Sequence, residues 1–303
     1  MACAYPIPAF QASAGAPVKF NPPLGTANLA ISCGGCVLCR LERSRQWAVR
    51  IEAHRLCFPA EQCHFLTLTY DEAHLPPVVD GRHTLRPKDL SDFWKRLRGR
   101  FPGCKISYFA CGEYGSRTLR PHYHACVFGV AFNDLVPMGA SGGIVRNTDP
   151  LAPNAVATRL TRSPVLDETW GFGAVARGEV TFQSAGYVAR YIMSKQLGKA
   201  RFRSDSYRGY FEEFQRQSTK PAIGDLALDK FPSDWFNMFH DFDSRTSIPR
   251  RYLKRLKAVS PALYDNYLQT RSASGLVRLS EAQLRALEIN RQAKLGTSQG
   301  GVV

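Results

Sequence analysis

The chain has 303 residues, of which 44% are hydrophobic and 21% charged, a balance that excludes a disordered or fibrous protein and leaves ample material for a core. Its 40 Lys and Arg outnumber 25 Asp and Glu, and the formal charge of +15 points to a polyanionic partner. No apolar run approaches the roughly 18 residues that span a bilayer, so no membrane partner is expected, and Met1 to Phe10 does not have the pattern of a secretory signal.

Residues 1–32 are poor in charge and rich in Pro, Ala and Gly, and read as an irregular arm. Cys33-Gly34-Gly35-Cys36-Val37-Leu38-Cys39 follows and leads into a helix over about 37–56, with Val37, Leu41, Ala48 and Ile51 on its apolar face. Thiolates spaced C-x2-C-x2-C can bind one ion, such as a structural zinc, or can be small buried thiols at a helix start. A fourth ligand would come from Cys3, Cys57 or Cys63. The nine cysteines, an odd number, favour a reducing cytoplasm with free or metal-bound thiols.

Residues 64–70 alternate as a strand, with Phe65, Thr67 and Thr69 on one face and Leu66, Leu68 and Tyr70 on the other. Pro87 opens a basic helix to about Phe101, whose apolar face is Leu90, Phe93, Trp94 and Leu97. Second and third strands are predicted at 105–111 and 122–129, joined by a loop over 112–121. An inserted loop region covers 133–165, and a fourth strand is predicted at 178–182. Ser184 can cap a helix over about 185–197. A further helix is predicted near 249–258, and Ser280 with Gln283 has the spacing of a capping box that starts a last helix to about Leu295. Cys104, Cys111 and Cys126 read as packing residues, and His64 and His74 as surface residues. The resulting division is 1–60, an arm and Cys-rich helix; 61–200, a sheet domain; and 201–303, a basic, mostly helical region.

Chemistry concentrates in Arg120-Pro121-His122-Tyr123-His124-Ala125-Cys126-Val127-Phe128-Gly129. Positions two apart share a strand face, so His122 and His124 point together as a two-ligand metal platform. A hairpin through 116–120 would bring the Glu113 carboxylate beside them, completing a site with open positions that suits Mg or Mn holding a phosphate oxygen. Tyr187, Tyr191 and Lys195 stand at successive i, i+4 steps along one helix face, while Val188 and Ile192 form a separate stripe free to serve the core. A phenolate facing a metal-bound phosphodiester can attack phosphorus and form a phosphotyrosine. Lys195 would lower a phenol pKa or steady the charge of the transition state. Arg86, Lys95, Arg98, Arg117, Arg120 and Arg190 are candidates for DNA contacts, and Tyr114, Trp170 and Phe172 for base stacking or core packing. The residues alone also fit a His-x-His phosphoesterase acting on small nucleotides, or a non-catalytic single-stranded DNA-binding protein.

The order Phe65-Leu66-Thr67-Leu68-Thr69, Gly112-Glu113, His122-Tyr123-His124, Tyr187 and Tyr191 is similar to the three motifs of HUH-type, two-tyrosine rolling-circle replication initiators. Over about 33–200 the chain more closely resembles the replication initiation proteins of gokushovirus-type microviruses, which are small single-stranded DNA phages. Cys111-Gly112-Glu113-Tyr114-Gly115, Trp170-Gly171-Phe172-Gly173 and Gly178-Glu179-Val180-Thr181-Phe182 carry that likeness together with the Cys-rich helix start and the two-tyrosine segment. The resemblance implies an α+β fold of the HUH nuclease type, with a split βαβ palm. A central antiparallel sheet would be flanked by helices, and the His strand would lie in its middle. It also implies a site-specific, metal-dependent endonuclease in the host cytoplasm that nicks the plus origin and leaves a 5′-phosphotyrosine and a free 3′-OH. Its implied partners are single-stranded origin DNA and the host DNA polymerase and helicase.

Overall fold

The computed structural model describes residues 3–13, 16–79, 81–115, 118–138, 144–145, 158–181, 185, 188, 211–230, 248–273 and 279–299. In chain order the strands are β1 (Ile7–Phe10), β2 (Lys19–Phe20), β3 (Leu29–Ile31), β4 (Cys63–Thr69), β5 (Val78–Val79), β6 (Arg82–His83), β7 (Ser107–Tyr114), β8 (Pro121–Phe128), β9 (Val136–Pro137), β10 (Ile144–Val145), β11 (Thr158–Arg159), β12 (Thr161–Arg162), β13 (Val175–Glu179) and β14 (Phe214–Gln217). The helices are α1 (Val37–Arg55), α2 (Pro87–Arg100), α3 (Pro164–Trp170), α4 (Asp225–Lys230), α5 (Arg250–Val259), α6 (Pro261–Ala273) and α7 (Glu281–Gln299). Seven strands form one antiparallel sheet in the order β14-β7-β8-β4-β13-β12-β9. The architecture is therefore α+β, with the His strand β8 between β7 and β4.

The alternation of β4 sorts the two faces of the sheet. Leu66, Leu68 and Tyr70 enter one core with Tyr123, Ala125 and Val127 of β8, and α2 and α3 cover it with Leu90, Phe93, Trp94, Leu97, Leu166 and Trp170. On the other face Phe109, Cys111, Cys126 and Phe128 pack with Ile51 and Trp47 of α1. The outer side of α1 then takes Ala227 and Leu228 of α4 and Tyr252 of α5, so the helices build a further layer.

Trp170 anchors the first core. It is fully buried among Tyr70, Phe93, Tyr123 and Phe172, and its indole N–H donates to the Thr69 carbonyl at 2.8 Å. Arg96 of α2 donates to the carbonyls of Thr169 and Trp170, closing the last turn of α3 onto α2. Trp170→Ala is expected to lower stability by about 3–5 kcal/mol, because the indole leaves both a large void and an unpaired carbonyl. Equilibrium urea unfolding measures this directly; a loss under about 1 kcal/mol would show that the layer does not depend on Trp170.

Several sequence expectations are corrected. The arm is not irregular: β2-β1-β3 form a small antiparallel sheet. The Asn28 side chain helps hold it, accepting from Gln11 N and donating to Gln11 O. The predicted loop over 112–121 is shorter, because β7 runs on to Tyr114 and pairs with Pro121–Tyr123. The fourth strand lies at Val175–Glu179, where Val175 pairs with Leu68 and shares its core. β14 adds a strand from residues 214–217 to the edge of the main sheet beside β7. His64 is buried, bonded to the Val130 carbonyl and to Arg177, whereas His74 is exposed beside Asp71. Cys104 is exposed, unlike Cys111 and Cys126. Ser280 and Gln283 do form the reciprocal capping box at the start of α7.

Candidate functional site

Glu113, His122 and His124 meet on the α1 side of the sheet. Register explains why: Glu113 on β7 pairs directly with His122 on β8, and Cys111 with His124. Residues opposite one another in an antiparallel pair share a face, so the strand itself delivers the carboxylate, with no need for the loop. His122 Nε2 lies 2.6 Å and His124 Nε2 2.9 Å from the same Glu113 oxygen, Oε1. The two imidazole rings stand at 90° with centroids 5.0 Å apart.

The back of each imidazole is also held. His122 Nδ1 lies 3.1 Å from the Arg120 carbonyl, which can only accept, so Nδ1 carries the proton. His124 Nδ1 lies 3.0 Å from the Thr67 hydroxyl on β4, and Phe65 stacks on the His124 ring. A neutral His122 thus presents a bare Nε2 lone pair to a carboxylate oxygen, an arrangement that needs a cation between them, either a proton or a metal ion. The second Glu113 oxygen, Oε2, is buried without a hydrogen-bond partner. A carboxylate with an orphaned oxygen and two oriented imidazoles fits a divalent cation, and three protein ligands leave positions open for substrate. His122 is the most exposed of the three, so the site opens at its side.

The charges are mutually tuned. Burial works to raise the Glu113 pKa, but the hydrogen bonds from His122 and His124 carry it below the usual carboxylate range. Burial pulls His122 down, and the Glu113 contact overcomes it and leaves its pKa raised. For the more deeply buried His124, burial dominates and the pKa is lowered. The pair therefore favours one proton or one metal ion shared around a single carboxylate.

The proposed nucleophiles Tyr187 and Tyr191, with Lys195, Arg190 and Arg117, lie outside the described residues. Their neighbours Ala185 and Val188 are helical and fully buried, packed with Cys111, Cys126 and Phe128 on the sheet face that carries the histidines. Among the candidate DNA contacts, Arg86, Lys95 and Arg98 are exposed along α2, with Lys95 paired to Asp92 and Arg98 lying over Tyr108. Arg120 is tied back to Glu72 and to the Tyr70 carbonyl. Trp170 is core rather than a stacking platform. The Tyr114 hydroxyl accepts from Leu85 N and donates to the Phe211 carbonyl, and Phe172 packs on Tyr70 and Trp170. Sequence reasoning misses Thr67 and the Arg120 carbonyl, which orient the imidazoles. Thr67 shares the correct parity on its strand, but only the β4–β8 register identifies it as the partner of His124.

Cys33, Cys36 and Cys39 come together with Cys3, their sulfurs all within 4.8 Å of one another. Among the described residues no helix is long and apolar enough to cross a membrane.

Residues 63–197 match the family model of the replication-associated protein ORF2. The chain is 28% identical over 272 residues to the replication-associated protein ORF2 of Spiroplasma virus 4, covering 80% of this chain and 81% of that one. It is 29% identical over 291 residues to the replication-associated protein VP4 of Bdellovibrio phage phiMH2K, covering 91% and 82%. To the replication-associated protein ORF4 of Chlamydia phage 1 it is 33% identical over 204 residues, covering 66% of this chain and 46% of that one. No solved structure matches the chain significantly. With the matched module placed on the sheet that carries Glu113, His122 and His124, the chain belongs to the replication-associated proteins of gokushovirus-type microviruses.

Proposed function

We propose that the protein is a rolling-circle replication initiator of the HUH type, which nicks the plus origin of a circular phage DNA and later rejoins the strand. The observation that carries the proposal is the convergence of Glu113, His122 and His124 on the sheet face where Ala185 and Val188 pack. The helical spacing of Tyr187 and Tyr191 is read around that anchor. Divalent Mg or Mn bound by the triad supplies the Lewis acidity that polarises a phosphodiester.

The Tyr187 or Tyr191 oxygen forms a bond to phosphorus as the P–O3′ bond breaks. The phenol gives up its proton, and O3′ leaves as a hydroxyl. The 5′ phosphate stays esterified to tyrosine, so the energy of the broken bond is retained and rejoining needs no ATP. The second tyrosine allows the reverse exchange at a new strand end. Lys195 favours the phenolate and offsets charge in the transition state. Arg86, Lys95, Arg98, Arg117, Arg120 and Arg190 hold the single strand by its phosphates, and the free 3′-OH serves a host polymerase, with a host helicase opening the duplex.

A labelled single strand carrying the phage plus origin, incubated with the protein and Mn or Mg, tests the reading on a denaturing gel. A protein-linked 5′ product is expected. Release of free nucleotides would replace the proposal with a phosphoesterase, and retention without cleavage would replace it with a binding protein.

A further inference from the structure

The four-cysteine cluster lies apart from the Glu113 site and plays no role in the nicking chemistry. Cys33 and Cys36 flank a turn in which Gly34 takes φ +74°, a conformation that favours glycine. Cys36 is the N-cap of α1, and its sulfur accepts from Cys39 N at 3.4 Å. The Cys33 sulfur accepts from Cys36 N, and the Cys3 sulfur from Cys33 N, both at 3.3 Å. Backbone N–H groups aimed at successive sulfurs favour thiolates over thiols, as does the positive end of the α1 dipole. Burial opposes this at Cys36 and Cys39 and raises their pKa, so a cation among the sulfurs is what would let all four ionise together. Of the three candidates for a fourth ligand, Cys57 and Cys63 direct their S–H groups to backbone carbonyls elsewhere, whereas Cys3 joins the cluster.

Four sulfurs within 4.8 Å of one another suit a single ion, since a tetrahedron with Zn–S bonds of about 2.3 Å has edges of about 3.8 Å. A four-iron cluster would hold its ligating sulfurs further apart. The cluster is also the point where distant segments meet. Glu288 of α7 is buried, and its two oxygens accept from Val37 N at 2.7 Å and Leu38 N at 3.0 Å, capping α1 from another helix. Leu284 and Leu287 of α7 pack against Cys3, Ala4, Cys36, Leu38 and Cys39.

We infer that Cys3, Cys33, Cys36 and Cys39 bind one zinc ion as four thiolates, and that this closed site locks the segment around Cys3 and helix α7 onto the start of α1. Four protein ligands leave no open position, so the ion is structural. Each thiol loses its proton on binding, and the released binding energy appears as stability of the docked segments.

The test uses the full chain purified under reducing conditions and dialysed against Mg. Zinc is counted by mass spectrometry in the His122→Ala/His124→Ala background, so that the nicking site cannot contribute. About one zinc per chain is expected there. Cys3→Ser should lose it, and Cys3→His, which can still ligate, should regain it. Amide exchange over 281–299 should rise in Cys3→Ser and fall back in Cys3→His. In the protein with unaltered cysteines, the four thiols should resist alkylation while exposed Cys104 reacts, a readout that needs no variant to fold. Full zinc content in Cys3→Ser would overturn Cys3 as a ligand. Alkylation of the four thiols as fast as Cys104, or their recovery as disulfides, would overturn the site itself. Unchanged exchange in α7 on zinc loss would overturn the clamp.

Discussion

His124→Ala is expected to abolish metal-dependent nicking while leaving a folded, DNA-binding protein. His124 supplies one of three converging ligand atoms, and Thr67 and Phe65 lock its orientation. Without it the cation keeps only His122 and Glu113, and the Lewis-acid contribution of several kcal/mol is lost. At 1.36 kcal/mol per tenfold, this amounts to at least about a hundredfold in rate. The truncation also opens a small cavity, so Glu113→Gln serves as a companion. It keeps the shape, removes the charge that both imidazoles face, and should show the same loss with little change in melting temperature. Initial nicking rates across a Mn titration, with circular dichroism melts alongside, measure both effects. Wild-type rates at wild-type metal levels in either variant would place the metal platform elsewhere.

The second large effect concerns the nucleophiles. Tyr187→Phe combined with Tyr191→Phe should eliminate the covalent protein–DNA product and leave single-strand binding nearly intact. Phenylalanine keeps the ring and its packing and removes only the oxygen that attacks phosphorus, so no phosphotyrosine can form. Binding should survive because it rests on phosphate contacts from α2 and the loops rather than on either phenol. Adduct on a denaturing gel and anisotropy with a labelled strand separate the two properties. Full adduct yield in the double variant would end the tyrosine assignment.

The parity of His122 and His124 is legible in the sequence because a strand period of two needs no tertiary information, and the same rule sorts both faces of β4. Glu113 reaches the expected site by a different route. The sequence suggests a hairpin that carries it from a loop, whereas a β7 longer by three residues sets it opposite His122. Strand ends depend on pairing, which a single sequence does not display. The fourth cysteine illustrates the same gap. Cys3, Cys57 and Cys63 are equivalent candidates by composition, and only the path of β1–β3 brings residue 3 back to residue 33. β14 is not legible, because Phe214-Gln215-Arg216-Gln217 is a short polar edge with one buried ring and no apolar alternation. Trp170 is ambiguous between base stacking and core, since a large aromatic serves either; burial on the far face from the histidines decides for the core.

Peptide mapping of the protein–DNA product tests the central claim most directly. The protein is incubated with Mn and an origin-bearing single strand, digested with protease and nuclease, and sequenced by mass spectrometry. The account predicts a 5′-linked nucleotide on Tyr187 or Tyr191 and none on other residues. A nucleotide on any other side chain, or cleavage that leaves the 5′ phosphate free, would contradict it.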